Sequence, residues 1–460
     1  MESSNMNRYD VTAWHHGDPR EDIGEVINSI LADVKARQSG AADFGGKPGA
    51  VIYIPPGDYR LRTQVVIDVS FLRVEGSGHG FSSSSIRFNV PSAEWPNLHE
   101  LWPGGSRVIN DIDVEPGAEQ SRGAAFYVAR SGSPRISSVE FVGFCIDGLH
   151  FTGEGPDGQQ ENSYVNGKTG IYVEDANDSF RVTGMGLVYL EHGLTICRAD
   201  ALSVHDNFVA ECGNGIELCG WGQASKITDN LVGAGPQGHS IYAENHGGLL
   251  VATNNVFPRG ASSVHFQGVT RSSLTGNRLH SFYPGMVRLL GDSSENLVAA
   301  NHLLRDHEPW TPFLDVDNGL EDTYGLVRIE GSGNTVTGNH FSEVVDARQV
   351  RPSGAAPVII RLATGSDNFV ATNHCIARNV DATSSDSCFE AQVGALLGTG
   401  ATSRLKVTTV RVDGDSSRNT VLDSGSDSEV LIDLTANAFR PTPTLAPSPS
   451  PVTPDERSSR

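Results

Sequence analysis

The sequence lacks most of the signatures by which enzymes declare their chemistry. No GxSxG elbow, HExxH helix or P-loop occurs in its 460 residues, and its two GxGxxG matches, at 153–158 and 233–238, each carry a proline where the helix of a dinucleotide fingerprint would begin. That argues against the serine-hydrolase, zincin, nucleotide-binding and dinucleotide-binding classes. The six cysteines are Cys145, Cys197, Cys212, Cys219, Cys375 and Cys388, with no CxxC pair and no zinc-type spacing. Metal ligation is therefore not expected, no cofactor is implied, and the cysteines read as small buried thiols. No apolar run approaches the roughly 18 residues of a membrane span. The opening MESSNMNRYDVTAW has no basic n-region and no apolar h-region. The expectation is a cytoplasmic protein, or a secreted one if a leader has been removed. Charged residues make up only 19 %, and 34 Lys and Arg against 55 Asp and Glu give −21. That balance disfavours nucleic acid, anionic membranes and uncalcified polyuronates as partners, and suits a neutral sugar.

What the chain does have is repetition. Short alternating apolar runs end on an asparagine: LSVHDN at Asn207, SKITDN at Asn230, LVATNN at Asn255, SLTGN at Asn277, LVAAN at Asn301, TVTGN at Asn339 and FVATN at Asn373. The first four spacings are 23, 25, 22 and 24 residues and the last two are 38 and 34, as though loops enter the later coils. A fixed period in this range marks a repeat architecture. Leucine-rich repeats need an L-x-x-L-x-L frame that is absent, and helical repeats need a 3.6-residue period that these β-branched runs lack. The pattern predicts a parallel β-helix whose coils stack about 4.8 Å apart. The repeated Asn is expected at one corner, in the left-handed conformation, bonded to its own copies in a ladder.

In order, residues 21–38 predict an amphipathic helix with Ile23, Val26, Ile27, Ile30, Leu31 and Val34 on one face. A solenoid end exposes unpaired strand edges, so this helix is expected to cap it. The layout is a capping segment over 1–48, the β-helix over 49–439, and a Pro-, Ser- and Thr-rich tail over 440–460 expected to be disordered. Residues 49–61 predict a strand, a Pro-Pro-Gly turn and a second strand from near Tyr59. Two stretches, 88–123 with Trp95 and Trp102 and 305–325 with Trp310, read as insertions able to wall a site or pin themselves to the body. Asp315-x-Asp317-Asn318-Gly319 hints at a calcium loop, but its twelfth position is Leu326, so a solvated loop is expected.

The chemistry that remains is that of carboxylates. Cleaving a sugar acetal or ketal needs one group to protonate the leaving oxygen and another to stabilise or trap the oxocarbenium-like centre. Asp200, Glu211, Glu217 and Glu244 lie in the regular coils; each alone could be no more than a solvated surface group. Asp200 and Glu211 are eleven residues apart, about half a coil. They should therefore point from different flanks, and unless a corner folds them together a site using both would be completed by a neighbouring subunit.

The blocks NGKTGIYVEDANDSFRVTGMGLVYLEHGLTICRADAL, AECGNGIELCGWGQA, GAGPQGHSIYAENHGGLLV, NNVFPRG and FYPGMVRLL resemble the inulin fructotransferase family, which includes the difructose dianhydride III hydrolases. The resemblance runs from about Tyr9 to Pro441 and implies a right-handed parallel β-helix, assembled as a homotrimer with sites between subunits. The family's catalytic Asp and Glu fall on RADAL and AECG, that is Asp200 and Glu211. Glu211 is read as general acid/base and Asp200 as nucleophile or charge stabiliser, or the reverse. Gln223, Glu244, Asn245, His246, Arg259, Tyr283 and Arg288 lie in the resembling blocks as substrate-binding candidates or structural corners. The resemblance leaves two activities: hydrolysis of difructose dianhydride III to inulobiose, or release of a cyclic dianhydride from inulin by internal attack of a sugar hydroxyl. The expected intracellular location favours the hydrolase, because the dianhydride is small enough to import. A non-catalytic β-helical binding protein would need no paired carboxylates. A polygalacturonase would carry a paired Asp-Asp signature that is missing here.

Overall fold

Each regular coil consists of three short strands, each paired in parallel with its counterpart one coil away; among the described residues Thr402–Arg404, antiparallel to His374–Val380, is the exception. In the coil around Asn207 the strands are Ser203–His205, Phe208–Cys212 and Asn214–Cys219. Their stacked counterparts build three sheets, here sheets I, II and III, of 13, 12 and 12 strands. The computed structural model describes residues 7–39, 49–80, 104–132, 134–148, 165–175, 178–198, 200–235, 238–257, 260–306, 318–346, 355–380, 402–422 and 429–433. The chain is a right-handed parallel β-helix: its repeats predict the parallel coils, and the family resemblance implies their hand.

The two-residue period of a strand explains why so short a run suffices. The middle residue of each sheet I run faces inward, giving the stack Val204, Ile227, Val251, Leu274, Val298, Val336 and Val370, all at most 1 % exposed. Sheet II supplies Val209, Val232, Val256, Leu279, Leu303 and Phe341, and sheet III supplies Ile216, Ile241, Val264, Val287 and Val327, all 0 % exposed. Full burial of one such side chain is worth about 1.5–3 kcal/mol, and each regular coil contributes at least three to the common core.

Two corrections concern the corner between sheets I and II. The ladder runs Asn207, Asn230, Asn254, Asn277, Asn301, Asn339 and Asn373, each Nδ2 donating to the next Oδ1 at 2.9–3.0 Å. Asn254 therefore holds the rung that the sequence spacing assigns to Asn255, and the first four steps become an even 23, 24, 23 and 24 residues. The left-handed residue is also the one before each Asn. Asp206, Asp229, Thr253, Gly276, Ala300, Gly338 and Thr372 have φ between 54° and 67°. Thr253 and Thr372 are β-branched and disfavour that region, so the ladder's hydrogen bonds must hold them there. A second ladder, Asn296, Asn334, Asn368 and Asn419, lines the corner between sheets III and I at 3.0–3.2 Å. Serines occupy its upper rungs: Ser272 Oγ accepts from Leu249 N at 2.8 Å.

The cap is the helix Pro19–Ser39, interrupted at Asp22, whose φ of −153° is extended. Asp22 Oδ1 accepts from Gly24 N at 3.0 Å, and also from Arg62 N and Thr63 N at 3.1 and 3.2 Å in the first coil. One carboxylate thus starts the helix and docks it. Ile23, Val26, Ile27, Ile30, Leu31 and Val34 are buried as the pattern predicts. Before the helix, Arg8–Asp10 joins sheet I beside Ala50–Ile54, so cap and solenoid share one sheet. The second strand of the first coil, Gly57–Leu61, starts two residues before Tyr59.

The supposed insertion over 88–123 contains a regular strand, Ser106–Asn110, paired in sheet II with Gly57–Leu61 and Cys145–Asp147. Trp95, Trp102, Trp310, Asp315 and Asp317 lie outside the described residues, as do the tail over 440–460 and Cys388. Cys145 and Cys212 are buried as expected, whereas Cys197, Cys219 and Cys375 are only partly so.

Candidate active site

The outer face of sheet III carries the chemistry. Its central outward column reads Tyr127, Tyr172, Thr195, Glu217, Tyr242, His265 and Arg288 down successive coils. The carboxylate candidates lie on this face or at its two edges.

At the edge where sheet III turns into sheet I stands Asp200, half-buried, in an isolated parallel bridge with Gln223. The next residue, Ala201, has φ 47° and its N–H donates to the Gln223 carbonyl at 2.9 Å. Gly222–Gln223 pairs in turn with His246–Gly247, and Gly222 N donates to the Asn245 carbonyl at 3.2 Å. Gln223 and Asn245 are exposed while His246 is 2 % exposed. Burial holds the His246 imidazole down at about 4 although the Asp200 charge pulls it up. His246 Nε2 is buried and meets no protein hydrogen-bond partner, an orphaned polar atom at the Asp200 edge. Glu244 shares this edge but is engaged: Oε1 accepts from Gly220 N at 2.5 Å and Oε2 from the Tyr242 hydroxyl at 2.9 Å.

At the opposite edge, where sheet II turns into sheet III, stands Glu211. It is 2 % exposed and sits on a bulge between Val209 and Cys212 with φ 56°. Tyr189, 22 residues earlier, occupies the equivalent corner with φ 57°. A non-glycine residue held in that region stores strain, a recurrent property of functional positions. Tyr283 lies at the same corner farther down, its N–H donating to Ser281 Oγ at 3.0 Å. Arg288 leans toward this edge, Nε donating to the Gly285 carbonyl at 3.0 Å and Nη2 to the Ala261 carbonyl at 2.8 Å. Burial lowers its affinity for its proton. Arg259 lies outside the described residues.

The structure thus gathers Asp200, Gln223, Glu244, Asn245 and His246 on one edge, and Glu211, Tyr283 and Arg288 toward the other. Glu217, between them, accepts from His192 Nδ1 at 2.7 Å and from Thr195 Oγ1 at 3.0 Å. Its hydrogen-bonding capacity is directed to its own neighbours. Sequence reasoning missed Trp221, which is 52 % exposed beside Gln223 with the Arg135 guanidinium 5.2 Å from its ring. A tryptophan set between two glycines in the CGWGQ corner was the available signal. His192, 22 residues before Asn214 and paired with it across the coils, was also missed. Among the described residues no group of three or more His, Cys, Asp or Glu converges to hold a metal ion.

A solenoid that lines one flat face with carboxylates, imidazoles, tyrosines and an exposed tryptophan has the make-up of a β-helical carbohydrate enzyme. Residues 300–443 match the family described as the beta helix repeat of inulin fructotransferase, and residues 128–310 match one described as periplasmic copper-binding protein (NosD). The DFA-I-forming inulin fructotransferase of Arthrobacter globiformis is 45 % identical over 381 residues, 81 % of this chain and 90 % of that protein. The crystal structure of DFA-IIIase from Arthrobacter chlorophenolicus A6 in complex with DFA-III is 72 % identical, covering 96 % of this chain and 100 % of that one with a TM-score of 0.87. The same enzyme in complex with GF2 is 72 % identical, covering 95 % and 100 % with a TM-score of 0.87. The chain belongs to the inulin fructotransferase family, in which DFA-IIIases are also found.

Proposed function

We propose that this protein hydrolyses difructose dianhydride III to inulobiose, at sites completed between neighbouring copies of the chain. The observation that carries the reading is a graded resemblance. Identity is 72 % over nearly the whole chain to an enzyme solved with DFA-III, against 45 % to a transferase that forms DFA-I. In this proposal Glu211 gives its proton to the leaving oxygen and later takes one from water, while Asp200 traps or stabilises the oxocarbenium-like centre. The opposite assignment of the two roles uses the same geometry. Gln223, Asn245 and His246 hold sugar hydroxyls beside Asp200, and Trp221 offers a ring face for stacking. Glu244 holds that edge in shape, and Tyr283 and Arg288 belong to the Glu211 side.

The interfacial part of the proposal rests on width. Two carboxylates that act on one glycosidic centre lie about 5–10 Å apart. Here they flank a sheet whose strand Asn214–Cys219 has six residues, about 17 Å at 3.3 Å per residue. A substrate that meets both is met by Asp200 of one copy and Glu211 of the next. Joining opposite edges of one face is a head-to-tail contact, which forms a ring when its rotation closes; a homotrimer is the proposed ring. A substrate small enough to import also places the enzyme inside the cell in this proposal.

The second reading, dianhydride-forming transfer from inulin, is favoured by the matched family description and the 45 % relative. It differs only in using a sugar hydroxyl in place of water. Separate incubation with inulin and with difructose dianhydride III, followed by product separation, decides between them. Inulobiose from the dianhydride is expected, and release of a dianhydride from inulin would overturn the hydrolase.

A further inference from the structure

Cys197 and Cys219 are direct register partners on neighbouring coils of sheet III. Both are free and both are partly buried. They end their strands on the outer face, two residues beyond Thr195 and Glu217, which are partners in the same register. Neighbouring strands lie about 4.8 Å apart, inside the 4.4–6.8 Å range of Cα separations that a disulfide bridges. The Cys197 sulfur is 3.5 Å from the Tyr172 hydroxyl. A hydrogen bond with the Cys219 thiol, helped by Tyr172, holds the Cys197 thiol below its usual range against the opposing effect of burial. The same contact, with burial, pushes Cys219 up. One thiol is therefore primed to attack and its neighbour to resolve. The remaining described thiols are poor competitors: burial raises Cys145, and raises Cys212 and Cys375 to about 12.

The pair adjoins the proposed site. Arg198 and Gly220 follow the two cysteines and turn the corner with φ of 49° and 71°. Arg198 N donates to the Cys219 carbonyl at 2.9 Å, and Asp200 stands two residues on. We propose that Cys197 and Cys219 are an oxidation site, joined by peroxide as an inter-coil disulfide that constrains the Asp200 corner and slows turnover. The Cys197 thiolate attacks one peroxide oxygen, which becomes its sulfenic acid as hydroxide leaves. The Cys219 thiol then attacks the Cys197 sulfur and water departs. Two thiols are oxidised by two electrons, and one peroxide is reduced to two waters.

The slowing of turnover rests on the role proposed for Asp200, whereas formation of the bond does not. The test uses the full chain carrying Cys375→Ser and Cys388→Ser, treated with hydrogen peroxide and digested without reductant. Mass spectrometry should find the Cys197 and Cys219 peptides joined with loss of two hydrogens. Turnover, read on whichever of difructose dianhydride III or inulin the protein consumes, should fall at least about fivefold, since a displaced catalytic group can cost up to about a hundredfold. Dithiothreitol should reverse both changes. Adding Cys219→Ser should prevent the cross-link and leave a Cys197 sulfenic acid that dimedone labels. Two alkylatable thiols and no joined peptide after peroxide would overturn the oxidation site. A joined peptide with unchanged turnover would overturn the coupling to Asp200.

Discussion

Asn254 gives its Nδ2 to Asn277 Oδ1 at 3.0 Å and receives Asn230 Nδ2 on its own Oδ1 at 2.9 Å. It also receives the Asn230 backbone N–H at 3.0 Å and donates to the Ile227 carbonyl at 3.0 Å. Asn254→Ala would leave several of these buried groups unpaired, each costing about 1–3 kcal/mol. Asn255 accepts only an exposed contact from Arg278 at 3.2 Å through its side chain. Thermal melts should therefore show a clear loss for Asn254→Ala and almost none for Asn255→Ala. Equal losses would mean that the ladder register is wrong.

The cap depends on Asp22 in the same way. Besides its three backbone donors, its Oδ2 accepts from Thr63 Oγ1 at 2.7 Å. Asp22→Ala should cost about 2 kcal/mol, the upper range for a helix-starting side chain. Amide exchange should rise first over Pro19–Ser39. Unchanged exchange across that helix would show that packing alone docks it.

Three imidazoles on sheet III or its edge make stability depend on pH. Burial holds His246 and His265 at about 4, the latter helped by Arg288, and holds His239 at about 3 with help from His265 and Arg288. In the unfolded chain each titrates near 6.5. The unfolded state therefore binds protons first, so this stability is complete above about pH 6.5 and drains away as pH falls towards 4. The melting temperature should be flat from pH 8 to 7 and decline from 6.5 downwards, with His239→Gln reducing the slope between 6.5 and 5. A slope that the substitution leaves unchanged would assign the effect elsewhere.

Much of this molecule was legible in its sequence because a β-helix writes its period into short apolar runs. The inward valines and isoleucines and the helix face at Ile23 to Val34 follow from periodicity alone. The register slipped at Asn254-Asn255 because adjacent asparagines fit one corner equally well until the coil length is known. The second ladder was hidden because serines take its upper rungs. Ser106–Asn110 was lost among glycines and prolines. Asp200 and Glu211 were singled out from the four carboxylates by the resemblance at RADAL and AECG, with their half-coil spacing in support. By contrast, Glu217 and Glu244 are each engaged by a partner about one coil away, at His192 and Gly220. The contact between Cys197 and Cys219 likewise follows only once 22 residues is seen to be one full turn.

Asp200→Asn and Glu211→Gln should each reduce turnover of difructose dianhydride III at least about a hundredfold, the lower range for a positioned acid or base. Neither removes apolar packing, so melting temperatures should stay close to that of the parent. Near-normal activity in both would move the site elsewhere on sheet III, with Glu244 the first alternative.

The central claim, that one site takes its two carboxylates from two subunits, is tested most directly by mixing those two inactive chains. Asp200→Asn and Glu211→Gln subunits are co-expressed in equal amounts, and dianhydride hydrolysis is compared with that of each variant alone. If Asp200 of one copy works with Glu211 of the next, random assembly of a ring restores about one site in four, and activity should approach a quarter of the parent's. If the mixture stays at the level of the separate variants while assembling normally, both carboxylates act from a single chain and the interfacial account is wrong.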